Sequence, residues 1–213
     1  MAAGPRDVRF SPDSGHWREA RLGLTGGVMR MNAVTLVLIG VLAWTTAAQA
    51  DNRFDKKTST VQITGTIWDR DAGRLQNQFG ETAPKIVPKF SLNSEGGDIF
   101  AATRIGRLIR KLKARTVVAP RAKCHSACAL IFIAGMERTN SGEIGLHRPY
   151  HDTDAEQLKQ YLPALYAQVK DYVLEMGLSE AFFQKMMDTD SSKMAIYGPS
   201  ETPALIPITA APQ

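Results

Sequence analysis

From residue 61 onward, short apolar runs alternate with amphipathic helical stretches, and this alternation limits the possible folds more than any other feature of the sequence. The apolar runs are predicted strands at residues 61–67, 89–92, 116–119 and 144–146. Each interval between them contains a predicted helix, over residues 71–79, 99–113 and 124–136. Because strands separated by helices usually pair in parallel, the sequence predicts an α/β fold with a mainly parallel sheet.

Two more helices are predicted after the last strand. The longer covers residues 154–176 and has one apolar stripe, made of Leu158, Leu162, Leu165, Val169 and Val173. Gly177 suits the C-terminal cap of this helix, and Ser179 is the predicted N-cap of a short helix that ends near residue 187. The segment that begins at residue 199 is rich in Pro and Ala and is predicted to be a loose tail over residues 199–213.

Residues 31–50 have the three-part pattern of a secretory signal peptide. Arg30 precedes an apolar run over residues 34–44, and residues 48–50, Ala-Gln-Ala, form a small-residue cleavage signal. The run is shorter than the roughly 20 residues of a spanning helix, although a retained membrane anchor is the alternative. We therefore expect a signal peptide over residues 29–50 and a periplasmic mature protein that starts near Asp51. Residues 1–28 are expected to be untranslated or disordered.

The charge distribution does not indicate a nucleic-acid partner. The chain has 26 Lys and Arg against 21 Asp and Glu, and its densest basic run covers residues 104–115. Apolar residues recur through this run at helical spacing, so it is typical of the solvated face of a helix rather than of a phosphate-binding stripe. A content of 44% hydrophobic and 22% charged residues is ordinary for a globular protein.

Two strand-to-helix junctions carry residues suited to catalysis. At residues 93–97, Asn-Ser-Glu-Gly-Gly, paired glycines allow a sharp turn that presents N–H groups to a developing oxyanion, although a plain turn explains them equally well. At residues 124–128, Cys-His-Ser-Ala-Cys, Ser126 is either an ordinary N-cap or a nucleophile. His147 ends the next predicted strand, where a general base for Ser126 is plausible.

These motifs resemble the proteolytic subunit of the Clp protease, and above all the signal-peptide-bearing, ClpP-like predicted periplasmic proteins of Gram-negative bacteria. The resemblance rests on residues 93–97, on Ser126 at the start of an Ala-rich helix, and on residues 146–149, Leu-His-Arg-Pro. It covers residues 61–190. It implies a ClpP/crotonase-like fold of repeated β-β-α units in a domain over residues 51–198, with residues 154–176 as the handle-type helix.

The resemblance also implies the roles of the site residues. Ser126 would be the nucleophile and His147 its general base. Gly97, the second glycine of the pair, and Ala127, the residue after the nucleophile, would donate the two N–H groups of the oxyanion hole. Asp190 falls near the family's third triad position.

The sequence departs from the family's pattern at two points. Glu95 replaces the usual proline before the glycine pair. The match at Asp190 is loose and Asp188 lies close by, so both carboxylates are equally explained as solvated loop residues. A Ser–His dyad without an aspartate is therefore an alternative to the triad.

Cys124 and Cys128 are the only cysteines of the chain. Four residues apart on a helix, their Cα atoms would be about 6 Å from each other, within reach of a disulfide. The exported compartment is oxidising, so a disulfide around Ser126 and two buried free thiols both remain open. A zinc site of these cysteines with His125 and His147 is disfavoured by the unusual cysteine spacing, and His125 is expected to be structural. We expect no metal and no cofactor.

Three classes of function follow from these features. The leading hypothesis is an exported, ATP-independent serine peptidase that cleaves flexible peptides or unfolded proteins, without an ATPase partner. Its handle-type helix implies a homo-oligomer. The second is a non-catalytic ClpP-like scaffold or peptide-binding protein, because a fold does not fix a function. The third, an acyl-CoA enzyme of the crotonase type, is disfavoured because CoA is a cytosolic cofactor.

Overall fold

The computed structural model describes residues 53–80, 84–150 and 159–207, all of which belong to one compact unit. In this part of the chain eight strands form a mixed sheet, accompanied by six helices. The strands are β1 (Arg53–Asp55), β2 (Thr60–Ile67), β3 (Lys89–Gly97), β4 (Arg115–Val118), β5 (Lys123–His125), β6 (Arg138–Asn140), β7 (Glu143–Leu146) and β8 (Ala195–Tyr197). The helices are α1 (Asp69–Phe79), α2 (Ile99–Lys111), α3 (Ala127–Ile133), α4 (Leu162–Glu175), α5 (Glu180–Asp188) and α6 (Thr202–Leu205). The predicted α/β fold is thus confirmed.

The sheet divides at β3, the longest strand. The first half of β3 pairs in parallel with β4, whereas Ser94 in its second half pairs with Cys124 of β5. From there β5 pairs in parallel with β7, and antiparallel strands lie at the two edges, β1 beside β2 and β8 beside β7. The carboxyl ends of β3, β5 and β7 therefore lie side by side, where α/β proteins commonly bind ligands.

The core forms where α2 and α3 cover the sheet. Asp98 caps α2 as predicted, because its carboxylate accepts the N–H of Ala101 at 2.8 Å. Ile105 and Ile109 of α2 are fully buried, and all seven residues of α3 are buried. The nucleophile helix of the sequence hypothesis is therefore a central element, which restricts the positions of the residues at its start.

The prediction of a helix over residues 124–136 was wrong at both ends. Lys123 to His125 form β5, and the helix that follows ends at Ile133. Cys124 and His125 pair with Ile144 and Gly145 of β7. Backbone hydrogen bonds to neighbouring strands therefore override the local Ala-rich pattern, which resembled a buried helix.

The prediction of a loose tail from residue 199 was also wrong for the described residues 199–207. They include α6, and Ile206 is fully buried. The Asn140 amide donates to the Thr202 hydroxyl at 2.8 Å, and the Arg138 guanidinium donates to the Pro207 carbonyl at 3.2 Å. These bonds attach the segment to β6.

Other predictions concern residues outside the described ranges. The signal peptide over residues 29–50, the mature start at Asp51 and the first part of the predicted helix over residues 154–176, with Leu158, all lie there. None of the described helices has the length and apolar content needed to cross a bilayer.

Candidate active site

Ser126 forms the turn between β5 and α3 in an unusual backbone conformation. Its φ is 53° and its ψ is −124°, a combination that costs a non-glycine residue about 1–3 kcal/mol. The Ser126 N–H donates to the Gly145 carbonyl at 2.8 Å, which continues the pairing of β5 with β7 by one residue. Its side chain makes no capping hydrogen bond to α3. The explanation of Ser126 as an ordinary N-cap therefore does not hold.

His147 lies at the end of β7, two residues beyond the carbonyl that Ser126 contacts. The ring is buried, and its Nδ1 lies 2.9 Å from the Arg148 carbonyl oxygen. Because a carbonyl oxygen only accepts, Nδ1 must carry the proton of the neutral ring, and Nε2 is left as the basic nitrogen. The ring also contacts Tyr150, with 5.5 Å between the ring centroids. His147 therefore has the tautomer that a general base requires.

Ser126 and His147 are neighbours at adjacent strand ends, but no hydrogen bond joins their side chains. Within the described residues, the Ser126 hydroxyl has no hydrogen-bond partner, while the bond that His147 makes is the one to Arg148. Ser126 is partly exposed. None of the described residues therefore engages its hydroxyl.

Gly96, rather than Gly97, contacts the nucleophile turn. A methyl group added at Gly96 would lie 2.7 Å from the Ser126 Cβ and 3.2 Å from the Ala127 nitrogen. Gly96 has a φ of 109°, so both its backbone and its surroundings require glycine. Its N–H donates to the Ser94 hydroxyl at 3.1 Å.

The two predicted oxyanion donors lie on either side of this contact. Gly97 is adjacent to Gly96 and packs against Ile67 of β2, with a φ of 136°. Ala127 is the first residue of α3, where an N–H has no partner within the helix. Both N–H groups are thus carried by backbone segments that meet at Ser126.

Asp190 is not hydrogen-bonded to His147, as the predicted triad would require. Its carboxylate forms an ion pair with Arg148 and accepts the N–H and hydroxyl of Ser192 at 3.0 and 2.7 Å. The Ser192 hydrogen bonds, followed by the charge of Arg148, hold the pKa of Asp190 below its ordinary value. Asp188 is engaged elsewhere, with the Gln184 amide at 2.8 Å. The group that orients His147 in this structure is the Arg148 carbonyl.

Cys124 and Cys128 form a disulfide, with 5.0 Å between their Cα atoms. Of the two alternatives that the sequence left open, the structure therefore has the bridge rather than the free thiols. Both sulfurs are engaged, so neither residue is available as the thiolate ligand of a zinc ion. The disulfide spans Ser126 and links the last strand residues before it to the first turn of α3.

Sequence reasoning missed three features of the site. These are the contact of Gly96 with Ser126, the Arg148 carbonyl as the partner of His147, and a hydrogen bond between His125 and Glu95. The sequence did contain a signal for the last of them, since Glu95 stands where the resembled family has proline. The other two depend on backbone geometry, which residue types do not reveal.

Comparison with known proteins does not assign the chain to a family. No protein-family model matches it, and no curated protein is significantly similar to it. In the described residues, no group of three or more His, Cys, Asp or Glu side chains is arranged to hold a metal ion.

Proposed function

We propose that this chain is an exported serine peptidase of the ClpP-like type that cleaves flexible peptides through Ser126 and His147. One observation carries the proposal: a serine in a strained turn, with no capping bond, follows the strand β5, and a histidine with its proton on Nδ1 ends the adjacent strand β7. A structural serine gains nothing from this conformation, whereas a strand-to-helix turn holds a nucleophile out toward a substrate. The mixed α/β sheet is compatible with the ClpP/crotonase-like fold that the motifs suggest.

In the proposed reaction the Ser126 oxygen attacks the carbonyl carbon of the scissile peptide bond. His147 accepts the hydroxyl proton at Nε2 and then gives it to the leaving amine, and water hydrolyses the acyl-enzyme by the same route. The bond from Nδ1 to the Arg148 carbonyl keeps the ring oriented through both steps. Proton transfer requires about 2.6–3.2 Å between the serine oxygen and Nε2 in the complex with substrate.

The N–H groups of Gly97 and Ala127 are the proposed oxyanion donors. Both belong to segments held against Ser126 by the close approach of Gly96. Backbone donors of this kind are fixed before the reaction, so they stabilise the developing charge without reorganising. Because Asp190 is bonded to Arg148 and Ser192, the proposed mechanism is a Ser–His dyad oriented by a backbone carbonyl.

Export is part of the proposal and rests on the signal-peptide pattern of residues 29–50. A protein in the periplasm has no ATP for an unfoldase, so the proposed substrates are peptides and proteins that are already unfolded. The proposed peptidase needs no cofactor, since serine, histidine and backbone N–H groups supply the whole reaction.

A non-catalytic scaffold or peptide-binding protein is the second candidate. Two observations favour it: the missing hydrogen bond between Ser126 and His147, and the engagement of Asp190 with Arg148. Such a protein would keep the arrangement at the strand ends but would not turn over a substrate.

Hydrolysis of a fluorescently labelled unfolded protein distinguishes the two candidates. We expect the purified protein to release fluorescent peptides, Ser126→Ala to abolish the release, and Ser141→Ala to leave it unchanged. Ser141 is a suitable control because it is exposed and lies at the other end of β7. Binding of the labelled protein without cleavage would favour the scaffold.

A further inference from the structure

His125, which immediately precedes Ser126, lies buried between two carboxylates. Its Nδ1 is 2.9 Å from an oxygen of Glu95 on β3, and its Nε2 is 3.6 Å from an oxygen of Glu143 on β7. The His125 side chain is only 8% exposed, whereas those of Glu95 and Glu143 are 68% and 48% exposed. A histidine whose ring only packs in the core would not require a carboxylate on each side.

The two contacts of His125 are unequal. The distance to Glu95 is that of a hydrogen bond, and Lys123 lies 3.4 Å from the other oxygen of the same carboxylate. Nε2, by contrast, is buried without a hydrogen-bond partner in the described part of the chain. Burial alone would raise the pKa of Glu95, but the hydrogen bond and charge of His125, with the charge of Lys123, hold it below its ordinary value. Glu95 is thus an ionised acceptor, and hydrogen bonds to ionised groups are the stronger ones.

The bond between His125 and Glu95 joins two segments at the point where they meet. Glu95 directly precedes Gly96, and His125 directly precedes Ser126. Gly96 and Ser126 are in such close contact that there is no room for a methyl group between them. The hydrogen bond between His125 and Glu95 lies one residue before Ser126 in one segment and one residue before Gly96 in the other. It therefore limits how far the two segments can separate.

We propose that His125 is a positioning residue, whose bond to Glu95 holds the backbone of residues 96 and 97 against Ser126. This role rests on the proposed hydrolase, because Gly97 N–H is one of its oxyanion donors. His125 itself does not contact the reacting atoms. The contact with Glu143 is not needed for this role, since Glu143 lies at the far end of β7 from His147.

Side-chain replacements separate the two contacts of His125. Asparagine has an amide nitrogen at the position of Nδ1 and can still donate to Glu95, whereas phenylalanine keeps a ring but has no donor. Glu95→Ala and Glu143→Ala are a matched pair, since each removes one carboxylate from one side of the ring. The measurement is the second-order rate constant for labelling of Ser126 in the purified protein by a fluorophosphonate.

A tenfold loss of rate corresponds to about 1.4 kcal/mol, which is within the range of one hydrogen bond. We expect His125→Phe and Glu95→Ala to lower the rate constant about tenfold, and His125→Asn and Glu143→Ala to stay within about threefold of the wild type. The double variant of His125→Phe with Glu95→Ala is expected to be no slower than either single variant, because both remove the same bond. Additive losses, or an equal loss in Glu143→Ala, would overturn the proposal.

Amide hydrogen exchange of residues 94–97 tests the link without requiring activity. We expect faster exchange in His125→Phe and Glu95→Ala than in Glu143→Ala, and unchanged exchange in both would overturn the link. If His125→Phe does not fold, Glu95→Ala against Glu143→Ala gives the same comparison. Absence of labelling in every folded variant would overturn the proposed hydrolase and the positioning role with it, even where the exchange result supports the link.

Discussion

Among the described residues, the hydroxyl of Ser126 has no partner, whereas three contacts fix the backbone around it. The Gly145 carbonyl accepts the Ser126 N–H, Gly96 lies against its Cβ, and the disulfide spans it. Each of these contacts constrains the main chain and none of them reaches the oxygen. At the scale of the residue, strain in the backbone is therefore combined with freedom of the side chain, which is what a nucleophile requires.

Asp190 is predicted to contribute to stability near neutral pH rather than to catalysis. Its pKa is held below the ordinary 3.8 by Ser192 and Arg148, so the folded state binds a proton less readily than the unfolded chain. The resulting stability is present above pH 3.8 and is lost as the pH falls through the lowered pKa. We expect Asp190→Asn to unfold more readily than the wild type at neutral pH, and the two proteins to converge in strong acid.

Urea unfolding across the acid range checks this prediction, with labelling of Ser126 as the second measurement. The dyad mechanism predicts that Asp190→Asn changes the labelling rate less than about threefold, since no hydrogen bond to His147 is lost. A loss of orders of magnitude in that variant, with its stability unaltered, would instead make Asp190 the orienting member of a triad.

At the scale of the residue, the candidate nucleophile and base could be predicted from the sequence, but the groups that contact them could not. Ser126 and His147 could be singled out because their residue types suit nucleophile and base and because each ends a predicted strand. The sequence could not show that Gly96, rather than Gly97, contacts Ser126, since this depends on where β3 meets β5. The partner of His147 could not be predicted either, because every residue has a carbonyl and the sequence does not show which one is oriented to accept.

At the scale of the element, the disulfide is predicted to stabilise the start of α3. Both cysteines are fully buried, and the bridge closes a short loop over residues 124–128. A loop of this length removes chain entropy worth about 2 kcal/mol from the unfolded state. We expect reductant to lower the free energy of unfolding of the wild type in urea by about 2 kcal/mol, with no effect on the Cys124→Ala, Cys128→Ala double variant.

Alkylation of the denatured, unreduced protein is the control for this prediction. Protein that takes up no alkyl group has the bridge, and uptake of two groups would contradict it. An unchanged free energy of unfolding in reductant, measured on protein shown to be bridged, would mean that the loop is already ordered in the unfolded chain.

Elements with strong local patterns were predictable, and those that depend on pairing were not. The strand β2 and the helices α1 and α2 lie close to their predicted ranges, because their apolar periods and the Asp98 cap are local signals. The strands β1, β5, β6 and β8 are three residues long and were missed. Strands this short are defined by their partners, which are distant in the sequence.

For the whole molecule, we retain the homo-oligomer as a proposal and assign the contact to a second copy of this chain. The groove between α2 and α4 has a volume of about 270 Å³ and includes Phe100, which is 53% exposed. Leu165 of the predicted apolar stripe is only partly buried beside it, whereas Val169 and Val173 are buried in the protomer's own core. The stripe is therefore shared between the core and this groove.

Light scattering at micromolar concentration is expected to give a mass above that of one chain. Phe100→Asp should shift the protein toward the monomer, because it removes an exposed aromatic ring that a second copy would bury. Ile86→Asp is the matched control, since Ile86 is 67% exposed and lies before β3, away from the groove. A monomeric wild type, or equal dissociation by both substitutions, would refute the assignment.

The central claim is that Ser126 is a catalytic nucleophile, and labelling by a fluorophosphonate followed by mass spectrometry tests it most directly. A serine reacts only if a base removes its proton and N–H groups hold the oxyanion. We expect a single adduct on Ser126, no adduct on Ser126→Ala, and labelling slowed by orders of magnitude in His147→Ala. Folded wild-type protein that takes up no label at any pH between about 6 and 9 would contradict the claim.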